Sequence, residues 1–128
     1  MKYPCYLILF CLLSLSFTAC SRNAHVDETK PISEIREESA GMSVNSLMDR
    51  AVAYKDAINK KSKQIEVLQD KIGSFSPIDL IGDKAQDIKE FKVDLDNLVG
   101  SLSALKARLD VYIELIKQKG GDINSLIL

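Results

Sequence analysis

Apolar side chains recur every three or four residues along two long stretches of the chain. In the first, the pattern runs through eight apolar positions with Lys61 as the single polar exception: Val44, Leu47, Ala51, Tyr54, Ile58, Ile65, Leu68 and Ile72. In the second, nine consecutive positions of the pattern are apolar: Ile88, Phe91, Leu95, Leu98, Leu102, Leu105, Leu109, Tyr112 and Ile116. This spacing predicts two amphipathic helices, at about 44–72 and 83–119, and an all-α fold.

The residues that flank these stretches are typical of helix ends. Ser43 and Asp83 are expected N-caps of the two helices, and Gly73 and Gly120 are expected stops. Glycine, proline and polar residues fill most of 73–83, which predicts a turn between the helices. Within this turn, Phe75, Ile78 and Ile81 are expected to cover the end of a helical hairpin.

The two patterns predict an antiparallel helical hairpin, packed as a coiled-coil-like bundle. In an antiparallel pair of helices, the numbers of two facing residues add up to a constant. A constant of 156 aligns the two patterns and places Leu68 beside Ile88 and Tyr54 beside Leu102. Extended helices that pair between two chains satisfy the same pattern and are the alternative. In this register Ile116 faces Ala40, before the first helix begins, so that end of the second helix lacks a cover.

Three covers are open for that end: the turn containing Ile32 and Ile35, the apolar C-terminal tail, or a partner protein. A partner would contact a surface at the end of the second helix and the tail, with the expected interaction residues Leu109, Tyr112, Ile113, Ile116, Leu126, Ile127 and Leu128. The tail also resembles the carboxyl-terminal ligands of PDZ-type grooves, and packing of the tail against the helices is the other interpretation. A two-helix domain buries little surface, so a homo-oligomer or an envelope protein is the expected partner.

Residues 20–43 are mostly polar and charged, which predicts a disordered, flexible tether before the helical domain at 44–128. As a flexible coil, the 23 residues from 21 to 43 would have a root-mean-square span of roughly 25 Å. Pro31 is also suited to the first position of a short helix over 32–38.

Composition excludes several classes of function. The net charge is −1. The single charged side chain in residues 1–19 is Lys2, so removal of this segment leaves 16 basic against 18 acidic residues. A chain with this charge is not expected to bind nucleic acid. The sequence has no phosphate-binding glycine loop and no ordered Ser, His and Asp set, so neither an enzyme nor a small-molecule substrate is expected. No cofactor is expected either, and the single histidine, His25, is expected to be solvated rather than bound to a metal.

The N-terminus has the pattern of a secretory signal over residues 1–19. Lys2 is followed by an apolar run from Cys5 to Phe17, which is shorter than the ~20 residues that a membrane-spanning helix needs. The sequence Phe17-Thr18-Ala19-Cys20 then resembles the lipobox of bacterial lipoproteins. Phe17 departs from the commoner leucine, and an ordinary secreted protein or a retained single-pass anchor are the alternatives.

The resemblance implies that Cys20 is the modified residue. In bacterial lipoproteins the cysteine thiol receives diacylglycerol, the signal is removed before the cysteine, and in many bacteria the new amino group is acylated, for example with palmitate. Cys5 and Cys11 lie in the removed segment, so the mature domain would contain no other thiol. Ser21, in place of an aspartate, points to the periplasmic face of the outer membrane if the host is Gram-negative.

Together these patterns predict a lipid-anchored protein of the cell envelope that acts as a non-catalytic structural or interaction module. The alternative is an accessory lipoprotein of a secretion, conjugation or phage system, such as a pilotin-like chaperone, an exclusion factor or a lysis factor. A basic cluster, Lys60, Lys61 and Lys63, is expected to be a solvated helix face, and contact with anionic headgroups is its other interpretation.

Overall fold

The computed structural model describes residues 25–82 and 84–128, and this part of the chain is helical and contains no strand. It comprises α1 (Ile32–Ala40), α2 (Val44–Gly73), α3 (Ala85–Gln118) and a short 3₁₀ turn (Asn124–Leu126). Helices α2 and α3 pack along each other and form the predicted hairpin within one chain. At 1.5 Å per residue, α2 is about 45 Å long and α3 about 50 Å.

The helix ends agree closely with the prediction. The Ser43 hydroxyl accepts a hydrogen bond from the Ser46 backbone N–H at 3.2 Å and caps α2. Gly73 is the last residue of α2, and Gly120 adopts φ +75°, the left-handed conformation that glycine allows after a helix. Asp83, an expected cap of the second helix, lies outside the described residues.

The register of the hairpin differs from the prediction. The Tyr54 ring lies 5.5 Å from the Tyr112 ring, and the Phe75 ring lies 6.0 Å from the Phe91 ring. The predicted register placed Tyr54 beside Leu102, which is ten residues before Tyr112. It placed Phe91 beside Ile65, six residues before Lys71, whose ammonium lies 5.3 Å from the Phe91 ring. The helices are therefore displaced by about two to three turns. A heptad pattern is unchanged by a shift of seven residues, and the pattern therefore could not choose between these registers.

The turn between the helices explains the displacement. Phe75 follows α2 and packs beside Phe91, so the first part of the turn extends the first arm of the hairpin. Ile78 and Ile81, which were expected to cover this end, are instead 82% and 90% exposed. The prediction is therefore wrong for these two residues.

The core lies at the end of the hairpin where α2 begins and α3 ends, which we call the proximal end. Its buried side chains on α2 and α3 are Leu47, Ala51, Tyr54, Ile58, Leu105, Leu109, Val111, Tyr112, Leu115 and Ile116. Ile35 of α1 and Leu126 of the 3₁₀ turn complete this core from opposite ends of the sequence. Two of the three covers that the sequence left open, the short N-terminal helix and the C-terminal tail, are therefore present in the structure.

The predicted flexible tether over 20–43 does not describe residues 25–43, which pack on the hairpin. The side chains of Ile35 and Ser39 in α1 are buried. The Arg36 guanidinium lies 2.6 Å from the Glu114 carboxylate of α3. The segment contains few apolar residues, but these are enough to pack α1 on the hairpin, because one face of a nine-residue helix buries only a few side chains. The short helix that Pro31 suggested is present as α1.

Gly121 brings the chain close to the hairpin after α3. A Cβ atom at this position would lie 2.6 Å from Ile116 Cγ2 and 2.8 Å from Val44 Cγ1. Glycine therefore lets the C-terminal segment turn back toward the start of α2, where Leu126 enters the core.

Candidate functional site

The expected interaction residues fall into two groups in the structure. Leu109, Tyr112, Ile116 and Leu126 are buried in the core, and Ile113 is partly buried against it. Ile127 and Leu128 at the C-terminus are 63% and 59% exposed. This end of α3 is covered by α1 and the tail, which are two of the three covers that the sequence left open.

The tail is held by a lysine as well as by Leu126. The Lys55 ammonium of α2 donates to the Ser125 carbonyl at 2.7 Å and to the Ile127 carbonyl at 2.9 Å. These bonds fix the backbone of the last residues against the hairpin. This geometry favours the packed tail over the ligand-like tail that the sequence left as the other interpretation.

Residues 25–30 cross the hairpin near its middle. The Tyr54 hydroxyl donates to the Asp27 carbonyl at 2.9 Å and accepts from the Asp27 N–H at 3.2 Å. Burial raises the pKa of this Tyr54 hydroxyl. The Arg108 guanidinium donates to the Lys30 carbonyl at 2.6 Å. The N-terminal segment is therefore bonded to both arms of the hairpin.

Glu28 accounts for the one polar interruption in the α2 pattern. Its carboxylate lies 3.7 Å from the Lys61 ammonium and accepts a hydrogen bond from the Ser101 hydroxyl of α3. A lysine at a core-facing position thus has an acidic partner from outside the hairpin. The sequence offered no periodic signal for this contact, since Glu28 lies outside both helical patterns.

We call the half of the hairpin that contains the core the proximal half and the other half the distal half. Few buried residues lie in the distal half. A groove of about 640 Å³ runs there between α2 and α3. The residues that line this distal groove are Lys60, Lys63, Gln64, Val67, Leu68, Lys71, Asp94, Asn97 and Leu98. At the end of the hairpin, Ile78, Leu80 and Ile81 form an exposed apolar tip.

The distal groove combines an apolar floor with a basic edge. Leu68 and Leu98 are half-buried, and Val67 is 63% exposed. The α2 edge carries Lys60, Lys63 and Lys71, whereas Asp94 is the acidic residue of the lining. The Lys71 ammonium also lies 5.3 Å from the centre of the Phe91 ring. Three lysines against one aspartate make the groove a positively charged site.

The remaining sequence expectations concern chemistry and membranes. His25 is exposed, and the described residues contain no cluster of three or more histidine, cysteine or acidic side chains that would bind a metal ion. In the same part of the chain, no helix is both long and apolar enough to cross a membrane. The signal segment and Cys20 lie outside the described residues.

Comparison with known proteins gives no relative from which a function could be transferred. The chain matches no protein-family model, no curated protein and no solved structure.

Proposed function

We propose that this protein is a lipid-anchored lipoprotein of the bacterial cell envelope whose helical hairpin acts as a non-catalytic structural or interaction module. The observation that carries the proposal is the sequence Phe17-Thr18-Ala19-Cys20, with its resemblance to a lipobox. Diacylglycerol on Cys20 and a further acyl chain would hold the protein durably, because each buried methylene contributes about 0.8 kcal/mol.

The packing of the N-terminal segment brings the helical domain close to the proposed anchor. Val26 packs against the core, so six residue steps separate Cys20 from the folded domain. At 3.3–3.6 Å per residue these steps span at most about 20 Å. The domain would therefore stay near the bilayer surface.

The distal half is the contact surface of the proposed module. The proximal half is covered by α1 and the tail, whereas the distal groove and the apolar tip are exposed. Exposed apolar patches of this kind mark interaction sites for proteins or membranes. We assign the tip to contacts with a second copy of the chain or with an envelope protein.

Lipidation of Cys20 is tested by expressing the full chain in a bacterium and measuring detergent-phase partition and the mass of the N-terminal peptide. The wild-type protein should enter the detergent phase and begin at a diacylglycerol-modified Cys20. The C20S variant should lack the modification. A C5S/C11S variant is the matched control and should be processed normally, since both residues precede the cleavage site. An unmodified wild-type protein in the aqueous phase would contradict the proposal.

A further inference from the structure

The distal groove is a feature of the described chain that the packing of the core does not explain. Its apolar lining consists of Val67, Leu68 and Leu98, and contiguous exposed apolar surface of this kind marks an interaction site. Residues 25–30 and α1 cover the hairpin in the proximal half but do not line the groove. The distal groove is therefore an apolar surface without an occupant from the described chain.

The groove continues the intramolecular contact made by the N-terminal segment. Glu28 contacts Ser101 and Lys61, and both lie next to the groove lining. Ser101 is one helical turn from Asn97, and Lys61 adjoins Lys60. Glu28 of the N-terminal segment is thus beside the proximal end of the groove.

The chemistry of the lining matches an anionic amphiphile. Val67 and the two leucines suit an acyl chain, and the ammonium groups of Lys60 and Lys63 suit a phosphate, to which lysine forms charge-assisted hydrogen bonds. A membrane surface with anionic lipids attracts such lysines at about 1 kcal/mol each.

We propose that the distal groove binds an anionic phospholipid of the membrane to which the protein is anchored. The acyl chain lies along the floor and the phosphate contacts Lys60 and Lys63. The inference rests on the lipid anchor proposed above, because that anchor would hold the helical domain, and the groove with it, near the bilayer. Its test uses unlipidated protein, so a failure here is distinct from a failure of lipidation.

Tryptophan fluorescence gives a direct test, because the chain contains no tryptophan. Residues 21–128 retain every residue of the core and can be studied without lipid. V67W places a reporter in the groove on α2, and V99W places one at an exposed position of α3 that does not line the groove. With phosphatidylglycerol vesicles, V67W emission should shift to the blue and be quenched by brominated acyl chains. V99W emission should not change, and neither reporter should respond to phosphatidylcholine.

Charge variants test the basic edge of the groove. In the V67W background, K60Q/K63Q should weaken vesicle binding by roughly 30-fold, as expected for the loss of two surface charges. K92Q/K106Q removes the same charge from positions outside the groove and should leave V67W shifted and quenched. Circular dichroism verifies that each variant is folded.

Three results would overturn the proposal. The first is an unchanged V67W spectrum with phosphatidylglycerol. The second is an equal response of V99W, which would indicate nonspecific adsorption. The third is a blue shift of V67W that grows with protein concentration without vesicles, because a second copy of the chain would then occupy the groove.

Discussion

Arg108 is a buried charged residue that connects α3 to the N-terminal segment. It lies on α3 among apolar core positions and is 8% exposed. Its guanidinium donates to the Ala104 carbonyl at 2.8 Å within α3 and to the Lys30 carbonyl at 2.6 Å in the N-terminal segment. The buried arginine thus joins a segment of low hydrophobicity to the hairpin through hydrogen bonds rather than apolar contacts.

Replacing this arginine tests how strongly the N-terminal segment is held. R108A should lower the free energy of unfolding by about 2 kcal/mol, since the Lys30 carbonyl loses a charged donor. R36A removes an exposed ion pair with Glu114 and should cost less than 1 kcal/mol. Urea unfolding of both variants measures the difference. Equal losses would show that the Lys30 contact does not stabilise the fold.

At the scale of elements, α1 and the C-terminal tail decide whether the proximal end is covered. Ile35 is 1% exposed, and Leu126 is completely buried. The sequence named the turn with Ile32 and Ile35 and the apolar tail as covers, and it left a partner protein open as a third cover. Local pattern could not choose, because nothing in a nine-residue helix specifies the surface on which it packs.

The tail prediction is tested with two neighbouring aliphatic residues. L126A should lower the free energy of unfolding by 2–5 kcal/mol, the usual loss for a buried leucine. I127A is the matched control, because this side chain is 63% exposed, and it should change stability by less than about 0.5 kcal/mol. Thermal or urea unfolding distinguishes them. An unchanged L126A variant would show that the tail does not pack in solution.

At the scale of the whole molecule, the hairpin has a covered half and an open half. Buried residues concentrate in the proximal half, whereas the distal half contains the groove and the apolar tip. Local opening costs less free energy where fewer apolar groups are buried. The two halves of each long helix should therefore differ in stability although the helices are continuous.

Amide hydrogen exchange measures this asymmetry. The measurement uses the unlipidated protein, residues 21–128. Amides of the distal half, over 62–72 and 86–98, should exchange faster than amides of the proximal half, over 47–58 and 105–116. Anionic vesicles should slow exchange in the distal half if the groove binds lipid. Uniform protection along both helices without vesicles would contradict the predicted difference.

A second buried stripe on α3 was visible in the sequence in part, as a periodic spacing beside the main pattern. Ala104, Arg108, Val111 and Leu115 follow steps of four and three on the flank of the main pattern, and the last three are buried. This spacing was a usable signal for a third element on α3. The arginine interrupts the apolar pattern, and its role became visible only through the Lys30 carbonyl.

The two long helices and the Ser43 cap of α2 were predictable from the sequence alone, because apolar periodicity and capping are local properties of the chain. Their antiparallel pairing was predicted as well, but the same pattern also allowed pairing between two chains. The tertiary structure decided the register, the covering of the proximal end and the position of the groove. A heptad repeat permits several registers, and the contact of Phe75 with Phe91 distinguishes the one observed. Glu28 and Lys61 are 33 positions apart, and only packing of the N-terminal segment could bring them together.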